Sequence, residues 1–244
     1  MNRLRTFANN MREVVLETIW PTRCAICDMQ GKSVLCRSCE ENLVIIDDLA
    51  ACPRCGAPYG RIQCTECNDL SLASMGLEQL PFEHMSHSVI LDDEAKRVVS
   101  VYKDQDERRL ADDIARILSR KVSPDIGRDS FCISYIPDTE RAFRRRGFDH
   151  AQELASKLAD ICGLECVRIL QRPSSADQRE LGRLGRIENM LSSMQVDPNA
   201  TIPQSVLLVD DVRTTGATVY SACIALKEAG VGRIRVLTFG IVME

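Results

Sequence analysis

Apolar residues at Leu4, Phe7, Met11, Val14, Val15 and Ile19 recur at helical spacing and predict a short amphipathic helix over residues 1–21, stopped at Trp20-Pro21. A cysteine-rich stretch follows to residue 70, and Asn68 to Gln79 reads as a connector. From Glu94 the helical period returns through Val98, Tyr102, Leu110, Ile114 and Leu118, with a break near Asp104 to Asp106. Phe131 to Ile136 has the length and apolarity of a buried strand and ends at Pro137; a helix follows from about Asp149 to Ile161, with Leu154, Leu158 and Ile161 on one face. Cys166 to Leu170 predicts a second strand, and Gln171 to Asn189 shows no strand period and is long enough for a functional loop. Val206 to Val209 predicts a third strand, then a turn, a helix from Thr218 to Ala229 closed by Gly230, and a last strand from Ile234 to Ile241. Strand, helix and strand in succession predict an α/β domain over residues 80–244 with a mainly parallel sheet, in which ligands bind at the carboxyl ends of the strands.

The cysteines add a second kind of unit. Four CxxC pairs, Cys24/Cys27, Cys36/Cys39, Cys52/Cys55 and Cys64/Cys67, fill the stretch before residue 70, and the last two repeat the spacing of the first two after a shift of 28 residues. Two thiolates two residues apart lie on one tight turn, so each pair supplies half of a tetrahedral S₄ site, and eight such ligands suit two zinc ions. Residues 22–70 therefore read as a double zinc ribbon. Sequential pairing, Cys24/Cys27/Cys36/Cys39 and Cys52/Cys55/Cys64/Cys67, follows the duplication, while a cross-braced arrangement that swaps the knuckles stays open. A disulfide framework is disfavoured because nothing marks the chain as secreted. Cys132, Cys162, Cys166 and Cys223 sit in apolar surroundings and read as small buried hydrophobes.

Charge narrows the ribbon's role. The formal net charge is −4, and between Pro21 and Leu70 five basic side chains face seven acidic ones. Each loaded S₄ site adds a further net charge of about −2. Such a ribbon is a poor binder of a phosphate backbone and reads as a structural or docking module. The first twenty residues carry Glu13 and Glu17 where a signal peptide needs an apolar core, and no twenty-residue apolar run occurs, so a cytoplasmic protein without membrane insertion is expected. His84 and His87 follow a complete set of eight ribbon ligands and are not expected on metal; His150 reads as a satisfied side chain at a helix start.

The strongest catalytic signal is Val206-Leu-Leu-Val-Asp-Asp-Val-Arg-Thr-Thr-Gly-Ala-Thr218. A buried strand delivers Asp210 and Asp211 to its carboxyl end, where two carboxylates can accept hydrogen bonds from vicinal hydroxyls such as those of a ribose. Thr214, Thr215, Gly216, Ala217 and Thr218 then form a small-residue turn into a helix, with free backbone N–H groups, hydroxyl donors and the positive end of the helix dipole. Diol acceptors beside a phosphate cradle describe a ribose 5-phosphate site. Gly31-Lys32-Ser33 only mimics the end of a P-loop, since no strand precedes it, and no GxGxxG occurs.

This segment resembles the phosphoribosyl pyrophosphate (PRPP) motif of type I phosphoribosyltransferases, and the chain resembles the ComF/GntX family over nearly its whole length. Tyr102-Lys103, Arg146-Gly147-Phe148-Asp149-His150, and Gln178 with Arg186 and Asn189 match further stretches of that family, in which a cysteine-rich ribbon precedes a phosphoribosyltransferase-like domain. The family usually has Asn-Gln where this chain has Asp149-His150. The resemblance implies PRPP bound with magnesium: Asp210 and Asp211 on the ribose, residues 214–218 on the 5-phosphate, and the Arg146-Gly147 turn with Lys103 on the pyrophosphate. Arg172, Arg179, Arg183 and Arg186 stud the loop that would close over it. Asp210, Asp211 and Arg186 are the implied catalytic residues of a phosphoribosyltransferase whose acceptor carries no signature here. The ComF side of the resemblance implies a rival role in uptake of single-stranded DNA during natural transformation. There the pocket would sense a nucleotide or bind a DNA 5-phosphate, and the ribbon would dock competence proteins such as a helicase. The GntX side adds a weaker hint of carbohydrate use.

Overall fold

The computed structural model describes residues 21–172 and 194–243. The helix expected over residues 1–21 lies outside them except for Pro21, as do Gln178, Arg179, Arg183, Arg186 and Asn189. The chain divides into two units, residues 1–43 and 44–244.

In the first unit the Cys24/Cys27 knuckle is a tight turn, with the amide of Asp28 donating to the Cys24 carbonyl and an antiparallel bridge pairing Arg23 with Gln30. The short helix α1 (Arg37–Asn42) carries the second knuckle, and Val34, Leu35 and Leu43 are buried beside it.

The second unit runs α2 (Asp69–Ser74), β1 (His84–Ile90), α3 (Asp93–Asp104), α4 (Leu110–Ser119), α5 (Pro124–Arg128), β2 (Cys132–Tyr135), α6 (Glu140–Arg146), α7 (His150–Cys162), β3 (Leu170–Gln171), β4 (Gln195–Val196), β5 (Ser205–Arg213), α8 (Ala217–Glu228) and β6 (Arg233–Ile241). Four strands make one sheet in the order β1-β6-β5-β2, every pair parallel. β5 is central and apolar on both faces, as a parallel strand covered on both sides must be: Ser205 to Val209 are all buried. Several helix starts are set by side-chain caps. Asp92 accepts from the Ala95 amide, Thr139 from Ala142, and Asp149 from both Ala151 and Gln152. α4 and α7 pack together, burying Leu110, Ile114, Leu118, Leu154 and Leu158, each worth about 1.5–3 kcal/mol when taken from water.

Three elements differ from the sequence expectation. The connector at residues 68–79 contains α2, because the Asn68 side chain accepts from the Ser71 amide and nucleates a turn. The expected strand at Cys166 to Leu170 keeps a ladder with β2 only around Cys166 and Val167; Leu170 and Gln171 instead join β4 in a separate antiparallel pair. β1 was not expected at all. Its sequence, His-Met-Ser-His-Ser-Val-Ile, carries little strand signal, and its partner β6 lies about 150 residues away.

Candidate functional site

β5 does not stop at Val209. It continues through Asp210 and Asp211 to Arg213, pairing Asp210 with Thr238 of β6, so both carboxylates leave the sheet at its carboxyl edge. Gly216 then caps α8 in the left-handed region (φ 82°), where a Cβ would come within 2.9 Å of the Tyr220 ring. Thr214 and Thr215 are exposed, Ala217 and Thr218 half-buried.

Neighbouring β2 ends beside β5 and runs through Pro137 to Asp138. Asp138 is the first member of a buried row of alternating charge. Its carboxylate holds Arg146 at 3.2 Å and accepts from His150 Nδ1 at 2.6 Å; His150 Nε2 donates to Asp211 at 2.8 Å; and Lys103, at the end of α3, ion-pairs with the same Asp211 oxygen. His150 is 5% exposed and Asp211 4%. Tyr102 donates its hydroxyl to the His150 carbonyl at 2.6 Å and meets the imidazole edge-on. Asp149 both caps α7 and accepts from the Asp138 amide, tying the strand end to the helix start.

This packing sets the protonation states. Burial alone would lower the pKa of His150, but hydrogen bonds to Asp138 and Asp211 outweigh it and bring the group to about 9, so it is an imidazolium at neutral pH. Burial likewise opposes ionisation of Asp211, and His150 and Lys103 overcome it, holding that carboxyl well below its usual range. Asp210 accepts from the Asp211 amide at 2.9 Å, and the charges of Lys103 and His150 oppose its protonation only in part. Burial and the adjacent Asp211 charge push it up to about 7.

Of the residues singled out in the sequence, the structure joins Asp211, Lys103 and Arg146 in one network through Asp138 and His150, and Asp210 and residues 214–218 adjoin Asp211 along the chain. Gly147 closes α6 in the left-handed region (φ 77°), donating to the Phe143 carbonyl. Arg144 and Arg145 are spent on Glu140 and Asp104. Arg172 donates to the Pro137 carbonyl at 2.7 Å; Arg186 lies outside the described residues. Sequence reasoning missed Asp138; it read His150 as a satisfied side chain at a helix start, and the structure satisfies both ring nitrogens there and makes the residue the central link. One signal pointed to Asp138: a carboxylate just past a buried strand of a parallel sheet sits where such sheets bind ligands. A separate cavity of about 360 Å³ lies away from this edge, bordered by Pro53, Gly56, His84, Lys121 and Arg235.

The cysteines converge in two quartets paired sequentially, Cys24/Cys27/Cys36/Cys39 and Cys52/Cys55/Cys64/Cys67, with ligand atoms of each within 4.8 Å of one another. Sulfur–sulfur separations of 3.9 Å (Cys27–Cys36), 3.6 Å (Cys52–Cys67) and 3.5 Å (Cys55–Cys64) fit a tetrahedron whose metal–sulfur bonds are about 2.3 Å. The residues thus suit two structural zinc ions. His84 and His87 bond the second ribbon's backbone at Pro53 and Cys55, outside the sulfur shell. Among the described residues no helix is long and apolar enough to cross a membrane.

Residues 15–70 match the family model of the Double zinc ribbon domain. The chain is 26% identical over 231 residues, 90% of its own length and 99% of the relative's, to Competence protein ComFC of Streptococcus pneumoniae. Two solved structures align loosely: orotate phosphoribosyltransferase from Aeropyrum pernix (20% identity, 64% of this chain and 66% of that one, TM-score 0.31) and a hypoxanthine phosphoribosyltransferase from Staphylococcus aureus (14%, 52% and 62%, TM-score 0.31). Each alignment takes in less than two thirds of the enzyme's own length, and superposition at this level carries no argument. The chain thus carries a double zinc ribbon followed by an α/β domain on a parallel sheet, and over 90% of its length it is similar to ComFC.

Proposed function

We propose that the carboxyl edge of β5 is a PRPP site and that the protein is a phosphoribosyltransferase-like member of the ComF family. One observation carries the reading: a single strand delivers Asp210 and Asp211 directly into a glycine-capped helix start, with Lys103 and the imidazolium of His150 converging on Asp211. Asp210 and Asp211 would take the ribose hydroxyls, the turn at 214–218 the 5-phosphate, and Lys103 with the Arg146-Gly147 turn the pyrophosphate. Magnesium brought with PRPP would screen the charge of the pyrophosphate. His150 holds Asp211 ionised and oriented, and Asp138 holds His150. For transfer, departure of pyrophosphate from the ribose C1 is favoured by fixed cations around the leaving group, and the residues available for that are Lys103 and Arg146.

The name of the relative supports a second reading, in which the same pocket serves a competence protein as a nucleotide sensor or single-stranded DNA adaptor and the ribbon docks partners. Thermal stabilisation by PRPP with magnesium, followed by a pyrophosphate-release assay over a panel of bases and amines, separates the two. Stabilisation with release supports the transferase. Stabilisation without release supports the sensor, and no stabilisation removes the site assignment. Asp210→Asn with Asp211→Asn is expected to abolish the stabilisation.

A further inference from the structure

Glu66 lies between two metal-ligating residues, Cys64 and Cys67, and pairs across 2.8 Å with Arg213, the last residue of β5. Arg213 is 3% exposed. A guanidinium withdrawn this far from water needs compensating negative charge. Glu66 supplies part of it, but its side chain is 39% exposed and therefore partly screened. The second cysteine quartet is the other source. Cys52, Cys55 and Cys67 belong to the same apolar core as Val206, Leu208 and Tyr220. Zinc on four thiolates carries a net charge of about −2, an anionic centre in the same core that holds Tyr220.

Arg213 supports the turn. A Cβ at Gly216 would lie 3.2 Å from Arg213 Nε and 2.9 Å from the Tyr220 ring, so the turn is packed down on both side chains. Tyr220 in turn stacks on Phe82 with ring centroids 6.0 Å apart. A second tie runs through His87, which contacts the Cys55 carbonyl at 3.0 Å and the Thr238 hydroxyl at 2.7 Å, and Thr238 is the β6 partner of Asp210.

We propose that the second zinc centre is the electrostatic floor of the turn at residues 214–218: when loaded it holds Arg213, through Glu66 and the thiolate charge, and Arg213 holds the Gly216 turn in its binding shape. Arg213 and Glu66 are positioning residues. The ligand part of this inference rests on the 5-phosphate reading given above; the part concerning the shape of the turn does not.

The test uses the zinc-loaded full chain as wild type, Glu66→Gln and Cys24→Ser. Hydrogen–deuterium exchange across residues 214–219 is read alongside calorimetric binding of ribose 5-phosphate, which probes the turn without a pyrophosphate. Glu66→Gln is expected to retain two zinc ions, to speed exchange across 214–219, and to weaken ribose 5-phosphate by about five-fold or more. Cys24→Ser, confined to the other quartet, leaves both readings at wild-type values. Coupling between two sites is reciprocal, so saturating ribose 5-phosphate slows the loss of one of the two zinc ions to a chelator, and Glu66→Gln removes that protection. A salt bridge with a purely structural role would not make zinc release depend on the sugar phosphate. Unchanged exchange in Glu66→Gln, or equal effects of Glu66→Gln and Cys24→Ser, overturns the inference. Faster exchange in Glu66→Gln with binding of neither ribose 5-phosphate nor magnesium–PRPP even to wild type leaves the floor standing and removes the 5-phosphate reading.

Discussion

His150 offers a measurement in which the size and sign of the effect both come from the structure. In the unfolded chain this imidazole loses its proton near 6.5, whereas between Asp138 and Asp211 it keeps it to about 9. At about 1.4 kcal/mol per pH unit, the difference corresponds to about 3 kcal/mol of folding stability. A group whose folded pKa is raised contributes fully below the unfolded value, so the stabilisation is complete below pH 6.5. It falls as pH climbs, and it is gone above pH 9. The perturbation is His150→Gln, which fills the space without the charge and leaves two buried carboxylates facing each other. Urea unfolding of both proteins from pH 6 to pH 9.5 gives a stability difference in which the titrations of the thiols cancel. That difference should shrink by about 3 kcal/mol across the window, with most of the change between pH 6.5 and 9. Should the variant fail to fold, an NMR titration of the three histidines of the wild type reads the same quantity directly. A stability difference that stays flat with pH, or a His150 resonance that titrates near 6.5, would refute the claim that the buried row is ionic.

Asp210, held up to about 7, predicts that the affinity for magnesium–PRPP rises several-fold between pH 6 and pH 8 as its carboxylate forms, and that Asp210→Asn flattens the profile; calorimetry across that range decides it, and a falling affinity would contradict the assignment. Gly216→Ala puts a Cβ 2.9 Å from Tyr220 in a left-handed backbone, so a loss of about 1–2 kcal/mol in thermal unfolding together with loss of ribose 5-phosphate binding is expected. Elemental analysis should find two zinc ions per chain, and chelation should lower the melting temperature of residues 44–244, because Cys52, Cys55 and Cys67 are part of that unit's core.

The fold was legible where one physical signal dominated. Val206 to Val209 is apolar without interruption because β5 is covered on both faces, and eight cysteines at fixed spacing can hardly serve another purpose in a reduced chain. β1 was not legible, since four of its seven residues are histidine or serine and its strand character comes from pairing with β6 rather than from its own propensity. Within the site, Asp210, Asp211 and the turn lie in one contiguous run and could be read together. Asp138 and His150 could not. Each looked ordinary alone, a residue after a proline and a residue after a helix cap, and their meaning arises only when β2 and β5 pair and bring Asp138 and Asp211 to opposite nitrogens of one imidazole. Arg213 shows the same limit, because its partner Glu66 is 147 positions away in the ribbon.

The contact between Lys103 and Asp211 has a consequence for selectivity. Without ligand, one of the two carboxylates offered to a ribose is already covered by an ammonium group. A neutral riboside carries nothing that could draw that ammonium away, and would have to compete with an ion pair using hydroxyls alone. A sugar bearing a pyrophosphate at C1 gives Lys103 a stronger anion to move to, and the same movement exposes Asp211 to the hydroxyls. On the PRPP reading, then, the resting site acts as a latch opened by charge: it screens sugars by the group at C1 before it measures their hydroxyls, and high salt should blunt that discrimination.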